Sequence, residues 1–138
     1  MDNVKNPVYY NGLGHQQKTL GNIQEALINY DKAVKLDPSN MDYYYNRGCC
    51  YRLLEQYDNA IKDYDIVVKS DPSDAVSYYE RGIFYMKTSS HQKALSDFKN
   101  AIRLKPSIDV DCYCCRAVAY CGLGDKICTS SDFRKQPD

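Results

Sequence analysis

The sequence repeats itself with a period of 34 residues, and this periodicity restricts the possible folds more than any other feature. Four sets of residues share the register: Pro38, Pro72 and Pro106; Gly14, Gly48 and Gly82; Ala26, Ala60 and Ala94; and the aromatic set Tyr30, Tyr64 and Phe98. A period of this length is typical of stacked supersecondary units, none of which buries its apolar face alone. With one residue inserted near Asp109, a weaker fourth copy continues the pattern.

Each copy is predicted to consist of two helices, because its apolar and aromatic residues recur at helical spacing, as in Tyr44, Gly48 and Tyr51. Asn, Ser, Asp, Gly and Pro at the breaks favour helix starts and ends. The predicted helices span about 8–20, 24–36, 41–54, 58–69, 75–88, 92–104, 110–122 and 126–135. The glycines are expected to pack against the alanine column and let the helices approach closely. Nine tyrosines fall in three aromatic columns and are predicted to be core: Tyr10, Tyr44, Tyr78, Tyr113, Tyr30, Tyr64, Tyr51, Tyr85 and Tyr120.

These columns resemble the tetratricopeptide repeat (TPR), a 34-residue helix-turn-helix unit, as in Tyr44, Gly48, Tyr51, Ala60, Tyr64, Val67 and Pro72. The resemblance implies an all-α solenoid of about four repeats in a right-handed superhelix. The predicted repeats are about 7–40, 41–74, 75–108 and 110–138, the last truncated, in a single domain over 1–138. A polar capping helix usually follows the last repeat of this family. Its absence predicts either a longer array or an apolar edge that a partner or a second copy covers.

Composition argues against several other classes of protein. The 18 Lys and Arg balance the 18 Asp and Glu, which gives no electrostatic reason to expect nucleic acid as a partner. The sequence contains no apolar run long enough to span a membrane and no apolar signal-peptide core, so we expect a cytoplasmic protein without a membrane partner. Seven Cys, an odd number that includes two adjacent pairs, fit reduced thiols better than a disulfide framework.

The resemblance also implies where a partner binds, because the first helices of TPR repeats line a concave groove that holds a peptide or partner segment. Carried over by register, the predicted groove residues are Asn11, His15, Tyr45, Cys49, Arg52, Val76, Tyr79, Ile83, Met86, Cys114 and Val118. The core columns do not require Tyr45 and Tyr79, so we predict that these rings anchor a ligand. The alternative is that they only pack against each other. This mixed apolar, nearly neutral groove predicts a short ligand with apolar or aromatic side chains.

A charge pattern accompanies the repeat. Arg47, Arg81 and Arg116 share one column, and Asp63, Asp97 and Asp132 share another, whereas the first copy lacks both. We predict ion pairs between the two helices of a repeat; the alternative is two independent surface preferences.

Three other functions are less well supported. A chaperone adaptor of this family would hold an acidic tail in a carboxylate clamp, but only Asn46 fits the clamp, and Glu80 lies where a carboxylate would bind. An enzyme is not expected, since His15 and His91 lie in different repeats and the apolar surface offers no oxyanion donors. A metal or redox module would use Cys112 and Cys115, yet a Cys-x-x-Cys inside a helix is unlike a zinc knuckle. We therefore predict no metal and no cofactor.

Overall fold

The computed structural model describes residues 6–124, and all regular elements in that part of the chain are α-helices. They are α1 (Pro7–Thr19), α2 (Ile23–Leu36), α3 (Met41–Leu53), α4 (Tyr57–Ser70), α5 (Ala75–Lys87), α6 (His91–Leu104) and α7 (Val110–Gly122). Seven of the predicted helices are confirmed, each to within one residue at either end. The eighth, predicted at about 126–135, lies outside the described residues. Between residues 6 and 124 no helix has the length and apolar content needed to cross a bilayer.

Local capping explains where the first helix of each repeat begins. The side chains of Asn6, Asn40, Asp74 and Asp109 each accept a hydrogen bond from the backbone N–H two residues further on. Such caps satisfy donors that have no partner inside the helix. The sequence places one cap after each Pro-Ser break, which is why these helix starts are predictable from local residues.

The turn inside each repeat uses left-handed backbone at one fixed position. Gly21 and Gly124 adopt this conformation with φ of 85° and 84°, whereas Glu55 and Ser89 adopt it with φ of 58° and 60°. Glycine tolerates positive φ, but a residue with a Cβ is strained there. The second and third repeats therefore carry backbone strain that Gly21 and Gly124 avoid.

The helices form two compact units, Met1–Ser70 and Asp71–Asp138. In the first unit α1 packs on α2, α2 on α3, and α3 on α4; in the second α5 packs on α6, and α7 packs on α6 and α5. The order of pairing follows the chain, as expected for helix-turn-helix repeats. That the whole chain forms a single domain stays a prediction.

The glycine column makes room for the aromatic column. A Cβ on Gly48 would stand 2.8 Å from Tyr64 Cε1, and one on Gly82 would stand 2.7 Å from Phe98 Cε1. Gly14 repeats the arrangement with Tyr30 at 2.6 Å. We expected the glycines to pack on the alanine column, but the nearest atoms belong to the aromatic ring of the second helix in the same repeat. Ring thickness therefore sets the spacing of the two helices.

The aromatic columns differ in how deeply they are buried. Tyr30, Tyr64 and Phe98 are fully buried, and the hydroxyls of Tyr44 and Tyr113 donate to the carbonyls of Pro38 and Pro106 at 2.9 and 2.7 Å. The other five of the nine predicted core tyrosines are half-buried: Tyr10, Tyr51, Tyr78, Tyr85 and Tyr120. Cationic side chains lie over four of these five rings, for example Lys99 over Tyr120 and Arg81 over Tyr78. These rings pack at the edges of the core, where cation–π contact covers part of their surface.

Candidate functional site

A groove between α5 and α7 brings together five of the eleven predicted binding residues. Its lining consists of Tyr79, Ile83, Met86, Cys114 and Val118, together with Lys87, Asp111 and Cys115. The volume is about 390 Å³, which is within the range of ordinary ligand pockets. Both helices are first helices of their repeats, so the groove lies on the face that the repeat register assigned to binding.

Tyr79 forms part of the wall of this groove. Its ring packs on Phe98, with ring centroids 6.2 Å apart and planes inclined at 53°. Burial raises the pKa of Tyr79 to about 12, and the negative charges of Asp111 and Asp109 add to that rise. The phenol therefore stays protonated at physiological pH and presents a neutral, half-buried ring.

Beside Tyr79, much of the groove lining is apolar and partly open to solvent. Val118 is 50% exposed, and Ile83 and Met86 are half-buried. Val76 is 43% exposed on the first turn of α5 and is absent from the groove lining. Ile83 and Met86 pack against the core of the second unit, and the part of their surface that stays exposed is available to a partner side chain.

In the first unit the predicted binding residues are held mainly by contacts within the protein. The ring of Tyr45 packs on Tyr64, with centroids 5.3 Å apart. Asn11 Oδ1 accepts a hydrogen bond from Asn46 Nδ2 at 2.9 Å. Cys49 is only 8% exposed and offers little surface, whereas Arg52 is exposed. The first unit therefore presents a more polar face than the groove of the second unit.

One pairing between columns was missed at the level of sequence. The Tyr30 hydroxyl lies 2.7 Å from His15 Nδ1, and the Tyr64 hydroxyl lies 3.6 Å from Cys49 Sγ. The matching residues of the third repeat are Phe98, which has no hydroxyl, and Ile83. A buried hydroxyl needs a polar neighbour, so the aromatic column determines whether the adjacent surface is polar or apolar. Comparing residues 15 positions apart across the repeats would have revealed it.

The predicted ion pairs within repeats are confirmed where both residues are described. Arg47 and Asp63 form a bidentate pair at 2.7 and 3.0 Å, and Arg81 and Asp97 form another at 2.7 and 2.8 Å. Asp63 and Asp97 are 1% and 2% exposed, so these pairs are structural. The third predicted pair includes Asp132, which lies outside the described residues.

Arg47 also joins consecutive repeats. Its Nη1 lies 2.9 Å from Asp31 Oδ1 on α2, in addition to the contacts with Asp63 on α4. Burial raises the pKa of Asp63, and hydrogen bonding with Arg47 opposes that rise. Hydrogen bonds with Lys35 and Arg47 outweigh burial at Asp31 and hold its pKa below the usual value. This bridge between repeats was not predicted, because Asp31 has no acidic counterpart in the third copy.

The described cysteines are free thiols with differing exposure. Cys50 and Cys112 are fully buried, and burial raises their pKa to about 11 and about 12. Thiols held protonated in this way are poor nucleophiles and poor metal ligands. No group of three or more His, Cys, Asp or Glu suited to a metal ion occurs among residues 6–124. Cys128, the seventh cysteine, lies beyond them.

Comparisons with known proteins agree with this architecture. Models described as tetratricopeptide repeat match residues 42–74 and 75–108, and one described as TPR repeat matches residues 14–51. Solved structures of MamA are similar: residues 41 to the end of MamA from Desulfovibrio magneticus RS-1 gives a TM-score of 0.87 at 24% identity, over 95% of this chain and 73% of that one. A thermophilic TPR protein of Thermus thermophilus gives 0.69 at 20% identity, over 93% and 71%. The search of curated proteins found no match. At these identities the structural likeness establishes the fold, an all-α repeat solenoid.

Proposed function

The chain belongs to the tetratricopeptide repeat family, and on that basis we propose that it is a protein-interaction scaffold whose first helices bind an extended segment of a partner protein. The observation that supports this most directly is the groove between α5 and α7, lined by apolar side chains that the core leaves partly exposed. Membership of this family favours a role in binding over catalysis.

The groove suits a ligand with large apolar or aromatic side chains. Tyr79 provides a rigid ring at one end, and Ile83, Met86 and Val118 provide an apolar surface along the rest. Rigid aromatic rings contribute contact area with little loss of conformational entropy, which is why they are common at binding hot spots. Tyr45 is proposed as a second anchor on α3, where its half-buried ring rests on Tyr64.

The test compares three forms of the chain in affinity capture, followed by titration with each purified captured partner. The Tyr45→Ala/Tyr79→Ala double variant is expected to weaken binding by at least tenfold, since a hot-spot truncation costs about 2 kcal/mol or more. Tyr9→Ala is the matched control, because Tyr9 is 43% exposed and belongs to neither the core columns nor the predicted groove. Circular dichroism checks that all three are folded. Full-strength binding by the folded double variant would show that the groove assignment is wrong.

A further inference from the structure

The two ends of the α5/α7 groove carry opposite charges. Asp111 lies exposed in the first turn of α7, and Asp109 immediately precedes the helix and caps it by accepting from the Asp111 N–H at 3.1 Å. Lys87 is the exposed last residue of α5. Asp111 and Lys87 both line the groove, with the apolar side chains between them. A ligand in this groove therefore meets a negative end and a positive end.

The repeat register gives the separation of these charges along the helix axis. Asp111 corresponds to Val76 on α5, and Val76 and Lys87 are eleven positions apart on the same helix. At 1.5 Å per residue this separation is about 16 Å. An extended peptide covers that distance with about five residues.

We propose that the α5/α7 groove selects extended segments that carry a basic residue and, about five positions before or after it, an acidic residue, with large apolar side chains between them. A C-terminal carboxylate about five positions after the basic residue serves as the acidic group equally well. The basic residue lies at Asp111, the apolar side chains over Tyr79 and Ile83, and the acidic group at Lys87. This inference rests on the proposed function and adds the charge pattern of the ligand to it.

The position of Asp111 in the groove lining supports this assignment, and the directions of two pKa shifts agree with it. The charges of Asp111 and Asp109 act at Tyr79, where they add to the effect of burial in raising the pKa of the phenol, and Asp111 acts in the same way on Cys115. The negative field thus reaches the groove wall itself. A polyanionic tail would be repelled there, whereas a Lys or Arg side chain would be attracted.

The experiment is a selection of random ten-residue peptides, displayed on phage, against the full chain and three charge variants. Asp111→Lys removes the acidic end. Asp111→Lys with Lys87→Glu reverses the groove and keeps the net charge of the wild type. Asp42→Lys is the control, because Asp42 occupies the register of Asp111 on α3 and is also exposed. Circular dichroism and thermal melting verify that every variant is folded.

We expect wild type and Asp42→Lys to enrich the same peptides, with apolar centres and the two flanking charges. The doubly swapped variant should also enrich such peptides. Exchanging the two flanking charges of one selected peptide should weaken its binding to wild type and strengthen its binding to the doubly swapped variant. In anisotropy titrations of a selected peptide, replacing its basic residue by Glu should weaken binding to wild type by about two- to fivefold. That difference should vanish in 1 M salt, where the screening length is about 3 Å.

The possible failures are distinguishable. Apolar peptides that bind wild type, lose affinity for Tyr79→Ala and show no charge preference would overturn this inference and leave the proposed function in place. An equal loss of preference in Asp42→Lys would show that net charge, and not the groove, is responsible, and would also overturn it. Selected peptides that bind Tyr79→Ala as strongly as wild type would contradict the proposed function itself.

Discussion

Adding a single hydroxyl to the core of the third repeat tests the link between the aromatic column and the adjacent surface. In the first repeat the Tyr30 hydroxyl finds His15 Nδ1 at 2.7 Å, whereas the third repeat has Phe98 and Ile83 in the matching positions. Phe98 is fully buried, and by the repeat register Phe98→Tyr places its hydroxyl beside the aliphatic Ile83. An unsatisfied buried hydroxyl costs about 1–3 kcal/mol. We expect the free energy of unfolding to fall by that amount, with the helical content unchanged.

A double-mutant cycle separates the missing hydrogen bond from simple crowding. Ile83→His alone is expected to be mildly destabilising, but combined with Phe98→Tyr it restores the donor–acceptor pair of the first repeat. The two changes should therefore couple favourably by about 0.5–1.5 kcal/mol. Urea unfolding followed by circular dichroism at pH 8, where histidine is mostly neutral, measures all four forms. A Phe98→Tyr variant with the same free energy of unfolding as wild type, or a coupling energy of zero, would refute the reasoning.

Three further predictions concern packing, backbone strain and thiol chemistry. Gly48→Ala should destabilise the chain by about 1–3 kcal/mol, because the new Cβ would stand 2.8 Å from a buried ring. Gly12→Ala, whose Cβ would have nothing within 4 Å, should stabilise the chain by about 0.5–1 kcal/mol. Equal effects of the two substitutions in urea unfolding would contradict the close-approach argument. Glu55→Gly should raise the free energy of unfolding by about 1 kcal/mol by relieving left-handed backbone at φ 58°, and a lower melting temperature would show that the side chain matters more than the strain. At pH 8 a short iodoacetamide pulse should label exposed Cys121 and spare Cys112. Burial raises the pKa of Cys112 to about 12 and keeps its thiol protonated. Rapid labelling of Cys112, detected by peptide mass spectrometry, would support a redox role instead.

Much of the fold could be predicted because the repeat encodes it in local, periodic signals. Caps such as Asn40 and Asp74 mark helix starts, and the small and aromatic columns mark the packed faces. The ion pair of Arg47 with Asp63 was also predictable, since its two residues recur together 16 positions apart. Each of these signals depends on residues within one repeat, where sequence spacing translates directly into spatial proximity.

The exposure of the residues predicted to bind a partner could be predicted only in part. The register assigned Cys49 and Ile83 to one column, yet Cys49 is nearly buried beside the Tyr64 hydroxyl, and Ile83 lines an open groove. The exposure of a side chain depends on how much of its surface the neighbouring side chains cover. The repeat register gives the position of a residue on its helix but not the extent of that cover. Sequence alone therefore identified residues that line one groove in the second unit but overstated the surface available in the first.

The sequence by itself determined the seven described helices, their order of pairing and the aromatic core, because a 34-residue period repeats the same local instructions. Only the tertiary structure decided that Arg47 reaches Asp31 on the preceding repeat, that the glycines pack against aromatic rings, and that Tyr79 and Val118 line the same groove. These features depend on the relative positions of helices, which are set by how their side chains pack together. That packing involves residues far apart in the sequence, so the spacing within one repeat does not determine it.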